Sequence, residues 1–95
     1  MNVGHAIRLC RRQRGITQTE LAKKAGVSVS YLSLLERGER SDPSLTTLEG
    51  ISDALEIPLS LVFFLASEPS ELEGIDQEVI EKLSAVTLQL MRRSA

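Results

Sequence analysis

A nucleophile needs a base beside it and a metal needs several ligands in reach, yet this chain has one histidine, His5, and one cysteine, Cys10. Neither has a partner at ligand or catalytic spacing, so His5 reads as a solvated or capping residue and Cys10 as a small core residue. No P-loop, no Ser-His-Asp set and no metal cluster stands in the sequence, which excludes an enzyme and calls for no cofactor and no metal. What remains is charge and hydrogen bonding. Residues 1–40 carry eight Lys and Arg against three Glu, a net +5, whereas residues 41–95 carry three against ten, a net −7. A phosphate backbone responds to the face it meets and not to the total of −2, so the N-terminal half is the candidate for nucleic acid.

Helices must position those groups, because apolar residues recur at three and four residue intervals almost throughout. Val3, Ala6, Ile7 and Cys10 mark a first helix from Val3 to Arg14, ended by Gly15. Thr17 and Glu20 form a capping box that opens a second from Gln18 to about Ala25. Gly26 stops it, and Ser28 can cap a third from Val29 to Arg37. Pro43 forbids continuation of the chain as helix, and Ser44 caps a fourth to about Leu55 with Leu45, Leu48, Ile51 and Leu55 on one face. Gly50 inside that helix costs about 1 kcal/mol against alanine, which suggests close packing there. Pro58 and Ser60 open a fifth through Leu65. An acidic stretch follows, in which Ser70 to Glu73 can form one helical turn. From Asp76 to about Arg93 the helical period returns, with Val79, Leu83, Val86 and Leu90 as a stripe that Ile80, Thr87 and Met91 widen.

Ninety-five residues, 42% hydrophobic and 25% charged, fit one small domain with an extra element and exclude a multidomain enzyme. The longest apolar run, from Leu61 to Ala66, falls well short of the roughly 18 residues of a membrane span, so no membrane partner is expected. No export signal opens the chain, which is expected to be cytoplasmic. One cysteine excludes an internal disulfide.

Two helices joined by Gly26, Val27 and Ser28 have the layout of a DNA-reading helix-turn-helix, whose second helix enters the major groove. The residues narrow this further. The run from Gly15-Ile16-Thr17-Gln18-Thr19-Glu20-Leu21-Ala22 to Ala25-Gly26-Val27-Ser28 is followed by Tyr31-Leu32-Ser33-Leu34-Leu35-Glu36-Arg37-Gly38 and by Pro43-Ser44-Leu45 with Leu48, Ile51, Ala54 and Leu55. Over residues 3–65 this resembles the lambda-repressor-like, Cro and phage-repressor family of XRE-type regulators. The resemblance implies an all-α fold, a five-helix bundle over residues 1–66, to which the pattern adds an acidic linker at 67–75 and an amphipathic C-terminal helix at 76–95. Ile16, Leu21, Ala22, Val27, Leu32 and Leu35 fall on inward faces, with Ile7, Leu48, Ile51 and Leu55 closing the core.

The family also implies site residues. An arginine of the first helix pairs with the glutamate ending the recognition helix, which here matches Arg11 and Glu36. Gln18 brings its amide and the helix-terminus N–H groups to a phosphate, and Arg14, Arg37 and Arg40 are placed for further phosphate contacts. Carried over by register, base readout falls to Val29, Ser30, Tyr31, Ser33 and Leu34. The family often has glutamine or another long polar side chain at one or more of these positions. Val29 and Leu34 can contact thymine methyls, and the serines can bond several bases. Leu34 otherwise adds to the core beside Leu35, and Tyr31 otherwise covers the turn.

The resulting expectation is a small regulator, a repressor that binds double-stranded DNA as a homodimer, with no small-molecule ligand evident. The dimer interface is expected at Phe63, Phe64, Val79, Leu83, Val86 and Leu90, against the alternative that the terminal helix folds back over its own bundle. A protein partner is the other class of function, either an antitoxin-type partner or a module using Val29, Tyr31 and Leu34 as an apolar surface.

Overall fold

Side-chain caps open the first four helices, and left-handed residues end three of them. The computed structural model describes residues 1–40 and 42–93, with the side chains of Leu90, Met91 and Arg93 outside that description. Helix α1 spans Val3–Arg14, and Asn2 accepts from the His5 N–H at its start. Helix α2 spans Gln18–Ala25 behind the Thr17–Glu20 capping box, in which both hydrogen bonds are 3.1 Å long. Gly26 ends it in the left-handed region at φ 73°, a conformation that costs a side-chain-bearing residue about 1–2 kcal/mol. Ser28 then accepts from the Tyr31 N–H at 3.0 Å and opens α3, Val29–Glu36. Helix α4 is Leu45–Leu55, capped by Ser44, and α5 is Leu59–Ala66. The acidic stretch makes a single 3-10 turn at Pro69–Leu72, closed by Glu68 and Glu71 rather than by Ser70 and Glu73. Helix α6 runs Gln77–Arg93, with Asp76 accepting from the Glu78 N–H at 2.8 Å.

The core draws on all five helices of the bundle: Ala6, Ile7 and Cys10, Leu21 and Ala22, Leu32 and Leu35, Leu48, Ile51 and Leu55, then Val62 and Ala66, with Ile57 from the connection. Ile16 and Val27 pack half-buried against it, whereas Leu45, in the first turn of α4, stays 59% exposed. Burying each large aliphatic side chain contributes about 1.5–3 kcal/mol. Two glycines let the helices approach. A Cβ on Gly4 would overlap the Leu35 carbonyl, which brings α1 against the end of α3, and one on Gly50 would lie 3.2 Å from the Ala25 carbonyl oxygen.

Helix α6 does fold back onto α1, but through the residues that widen the stripe rather than those that define it. Thr87 is 4% exposed and donates its hydroxyl to the Leu83 carbonyl at 2.7 Å, while Ile80, Ser84 and Leu88 are half-buried. Arg92 Nε donates to Gln13 Oε1 at 2.8 Å and ties the far end of α6 to α1. Val79, Leu83 and Val86 are left about half exposed. No helix among the described residues is long and apolar enough to cross a membrane.

Candidate nucleic-acid interface

The exposed side of α3 and the start of α2 meet in a concavity lined by Gln18, Val29, Ser30, Ser33, Leu34 and Arg37. Positions 29, 30, 33 and 34 share one helical face because four residues make about one turn. Ser28 fixes where that face begins, and the left-handed Gly26 sets the angle at which α3 leaves α2. Val29 is 40% exposed and Leu34 half-buried, so Leu34 takes its place in this concavity rather than deep in the core beside Leu35.

Beneath the concavity lies a charged network. Arg11 Nε is 2.8 Å from Glu36 Oε2, and its Nη2 donates to Oε1 at 3.0 Å, a bidentate pair. The Glu36 side chain is 1% exposed. Arg11 Nη1 also donates to the Ile16 carbonyl at 3.0 Å, joining α1 to the loop before α2. The Glu36 carboxylate raises the Arg11 guanidinium above its ordinary value, mainly by hydrogen bonding, against the opposing effect of burial. Gln18 completes the network, donating its amide to Glu36 Oε1 at 3.1 Å. The family resemblance implied the Arg11–Glu36 pair and sent the Gln18 amide to a phosphate. It missed this third donor, although a buried carboxylate has more acceptor sites than one guanidinium fills.

The other expected contacts divide. Arg14 donates from Nε to the Leu55 carbonyl at 2.7 Å and from Nη2 to the Glu56 carbonyl at 2.8 Å. Its guanidinium caps the C-terminus of α4, where unpaired carbonyls and the helix dipole attract a cation, a role within the fold that the expectation of a phosphate contact did not include. No sequence signal connects residues 41 apart, so only the fold reveals this role. Arg37 is exposed and pairs with Glu39 at 3.1 Å. Arg40 lies over the Tyr31 ring, 5.3 Å from its centroid. Tyr31 is half-buried against the core and lines a different concavity, with Arg40, Ser28 and the start of α4. The structure therefore separates Tyr31 from the four other expected base-reading residues, because it lies on another side of α3.

The expected dimer residues divide as well. Phe63 packs against the chain's own core, and Phe64 lines a groove shared with Leu72, Ile75 and Ile80 beneath α6. Phe63 is thereby drawn into intrachain packing and Phe64 borders an open groove, whereas Val79, Leu83 and Val86 face outward, and the Leu90 side chain lies outside the described residues. Cys10 is fully buried, and burial pushes its thiol up to about 11, so it stays a neutral packing group.

A helix-turn-helix family model matches residues 7–62, the stretch from within α1 into α5. The immunity repressor protein of Bacillus phage phi105 is 38% identical over 86 residues, covering 86% of this chain and 59% of that protein. The transcriptional regulator SinR of Bacillus subtilis is 39% identical over 71 residues, covering 75% of this chain and 61% of SinR. This chain thus spans about three fifths of the length of these two relatives. Among solved structures, a chain of a SinR–SinI protein complex superposes with a TM-score of 0.62 at 35% identity, covering 87% of this chain and 75% of that one.

Proposed function

The chain belongs to the helix-turn-helix family, and on that premise we propose that it binds double-stranded DNA by sequence, in the cytoplasm, as a homodimeric transcriptional repressor. One observation carries the reading: Val29, Ser30, Ser33 and Leu34 line a single concavity beside the N-terminus of α2, with Arg37 at its edge. That is the form of a helix that inserts into the major groove while a helix terminus and an arginine hold phosphates. Both matched relatives are named as a repressor or a transcriptional regulator.

Two recognition helices about 34 Å apart would read a two-fold symmetric operator. The exposed stripe of α6 supports the pairing, since it leaves three large aliphatic side chains in water on one face of a helix. A protein partner of different sequence on that stripe is the second reading, favoured by the structural neighbour that was solved in a complex.

Selection of bound duplexes from a random pool at near-physiological salt, followed by the stoichiometry on the winning sequence, tests the proposal. A two-fold symmetric motif bound by two chains is expected; no enrichment above non-specific binding overturns it. Leu83→Glu should shift sedimentation toward the monomer, and an unchanged dimer would place the contact away from α6.

A further inference from the structure

We infer that α3 reads the C5-methyl groups of thymine in the major groove rather than the hydrogen-bonding edges of purines. The inference rests on the DNA-binding reading above and names what that site recognises.

Recognition of guanine or adenine by direct contact commonly uses a long side chain that makes two hydrogen bonds at once, from Arg or Lys to guanine and from Asn or Gln to adenine. The concavity has two side chains of that kind, Gln18 held in the buried network and Arg37 at the C-terminal end of α3. Gln18 gives its amide to Glu36 Oε1, an oxygen already held by Arg11, so moving it toward a base would strip a donor from a buried carboxylate. Arg37 sits at the C-cap of α3 and pairs with Glu39, whereas a recognition helix of this layout meets bases with its N-terminal residues.

Val29 and Ser30 stand at that N-terminal end, and Ser33 and Leu34 follow in the second turn, all four lining the concavity. Serine hydroxyls donate or accept and so tolerate several bases. The discriminating chemistry is therefore apolar. Val29, in the first turn and 40% exposed, and Leu34, five residues on and half-buried, offer methyl groups to the same open concavity. In the major groove the matching apolar feature is the thymine methyl, and burying one methyl against another removes both from water.

The test uses the duplex recovered by selection, with each thymine replaced singly by deoxyuridine. This removes the methyl and leaves the hydrogen-bonding edge intact. At one or more positions in each half-site the affinity should fall about fourfold, the value of one buried methyl. With Val29→Ala, whose folding is checked by melting, the difference between thymine and uracil should vanish at one of those positions. Equal affinity for every thymine and uracil pair, or a selected motif of G·C pairs alone, overturns the inference and leaves sequence-specific binding standing. No selected motif at all overturns both.

Discussion

Gln18 Nε2 and Arg11 Nη2 converge on one oxygen of Glu36, at 3.1 and 3.0 Å. The carboxylate at the end of α3 thereby fixes the first residue of α2 and the last turn of α1 together. A charge removed this far from water is tolerable only while its partners remain.

Arg11→Ala should therefore cost about 3–5 kcal/mol of stability, since Glu36 would keep only a neutral amide. Urea denaturation measures this. Replacing Arg11 and Glu36 together by apolar residues of similar volume should cost much less than the two single changes added. An additive double change would show that the pair is uncoupled.

The two buried helix contacts at glycine should respond differently to alanine. Gly4→Ala drives a Cβ into the Leu35 carbonyl and should destabilise by about 1–3 kcal/mol, because backbone cannot move aside cheaply. Gly50→Ala gains about 1 kcal/mol of helix propensity against a contact of 3.2 Å that a small shift relieves, so its melting temperature should change little. Equal effects at both sites would contradict the interhelical approach at Gly4.

Acid should weaken the start of α2. Hydrogen bonds from the Thr17 backbone and side chain hold the Glu20 carboxyl below its ordinary value of 4.5. A carboxyl lowered on folding stabilises the fold above its unfolded value and loses that contribution as pH falls through the lower folded value. Glu20→Gln, which removes the titrating carboxyl, should flatten the decline of melting temperature below pH 4.5, and an unchanged slope would assign it to other carboxylates.

Arg37→Ala should weaken binding to all duplexes alike and reduce the salt slope by about one unit. Glu39→Gln should do the reverse in affinity, because it frees the Arg37 guanidinium from its 3.1 Å surface pair. Loss confined to one base position would contradict a phosphate role for Arg37.

The sequence alone determined the local half of this protein. Caps, glycine stops and apolar periods placed α1 to α5 almost to the residue, since each signal acts within one helical turn: Thr17 on Glu20, Ser28 on Tyr31, Gly26 on the turn itself. Val29, Ser30, Tyr31, Ser33 and Leu34 were singled out only by register with the family the chain resembles, and the fold brings four of the five to one concavity. Tertiary structure decided what each side chain does when two candidates compete for it. Arg14 went to the carbonyls ending α4, Gln18 to a buried carboxylate and Tyr31 beneath Arg40, through contacts between residues 9 to 42 apart in the chain. The amphipathic α6 carried two adjacent apolar faces, and periodicity gave no reason to bury one before the other. The surface of α1 took the face of Ile80 and Thr87, and the stripe of Val79, Leu83 and Val86 stayed in water. Periodicity records that a face is apolar; which face finds a partner depends on the shape of the surface it meets.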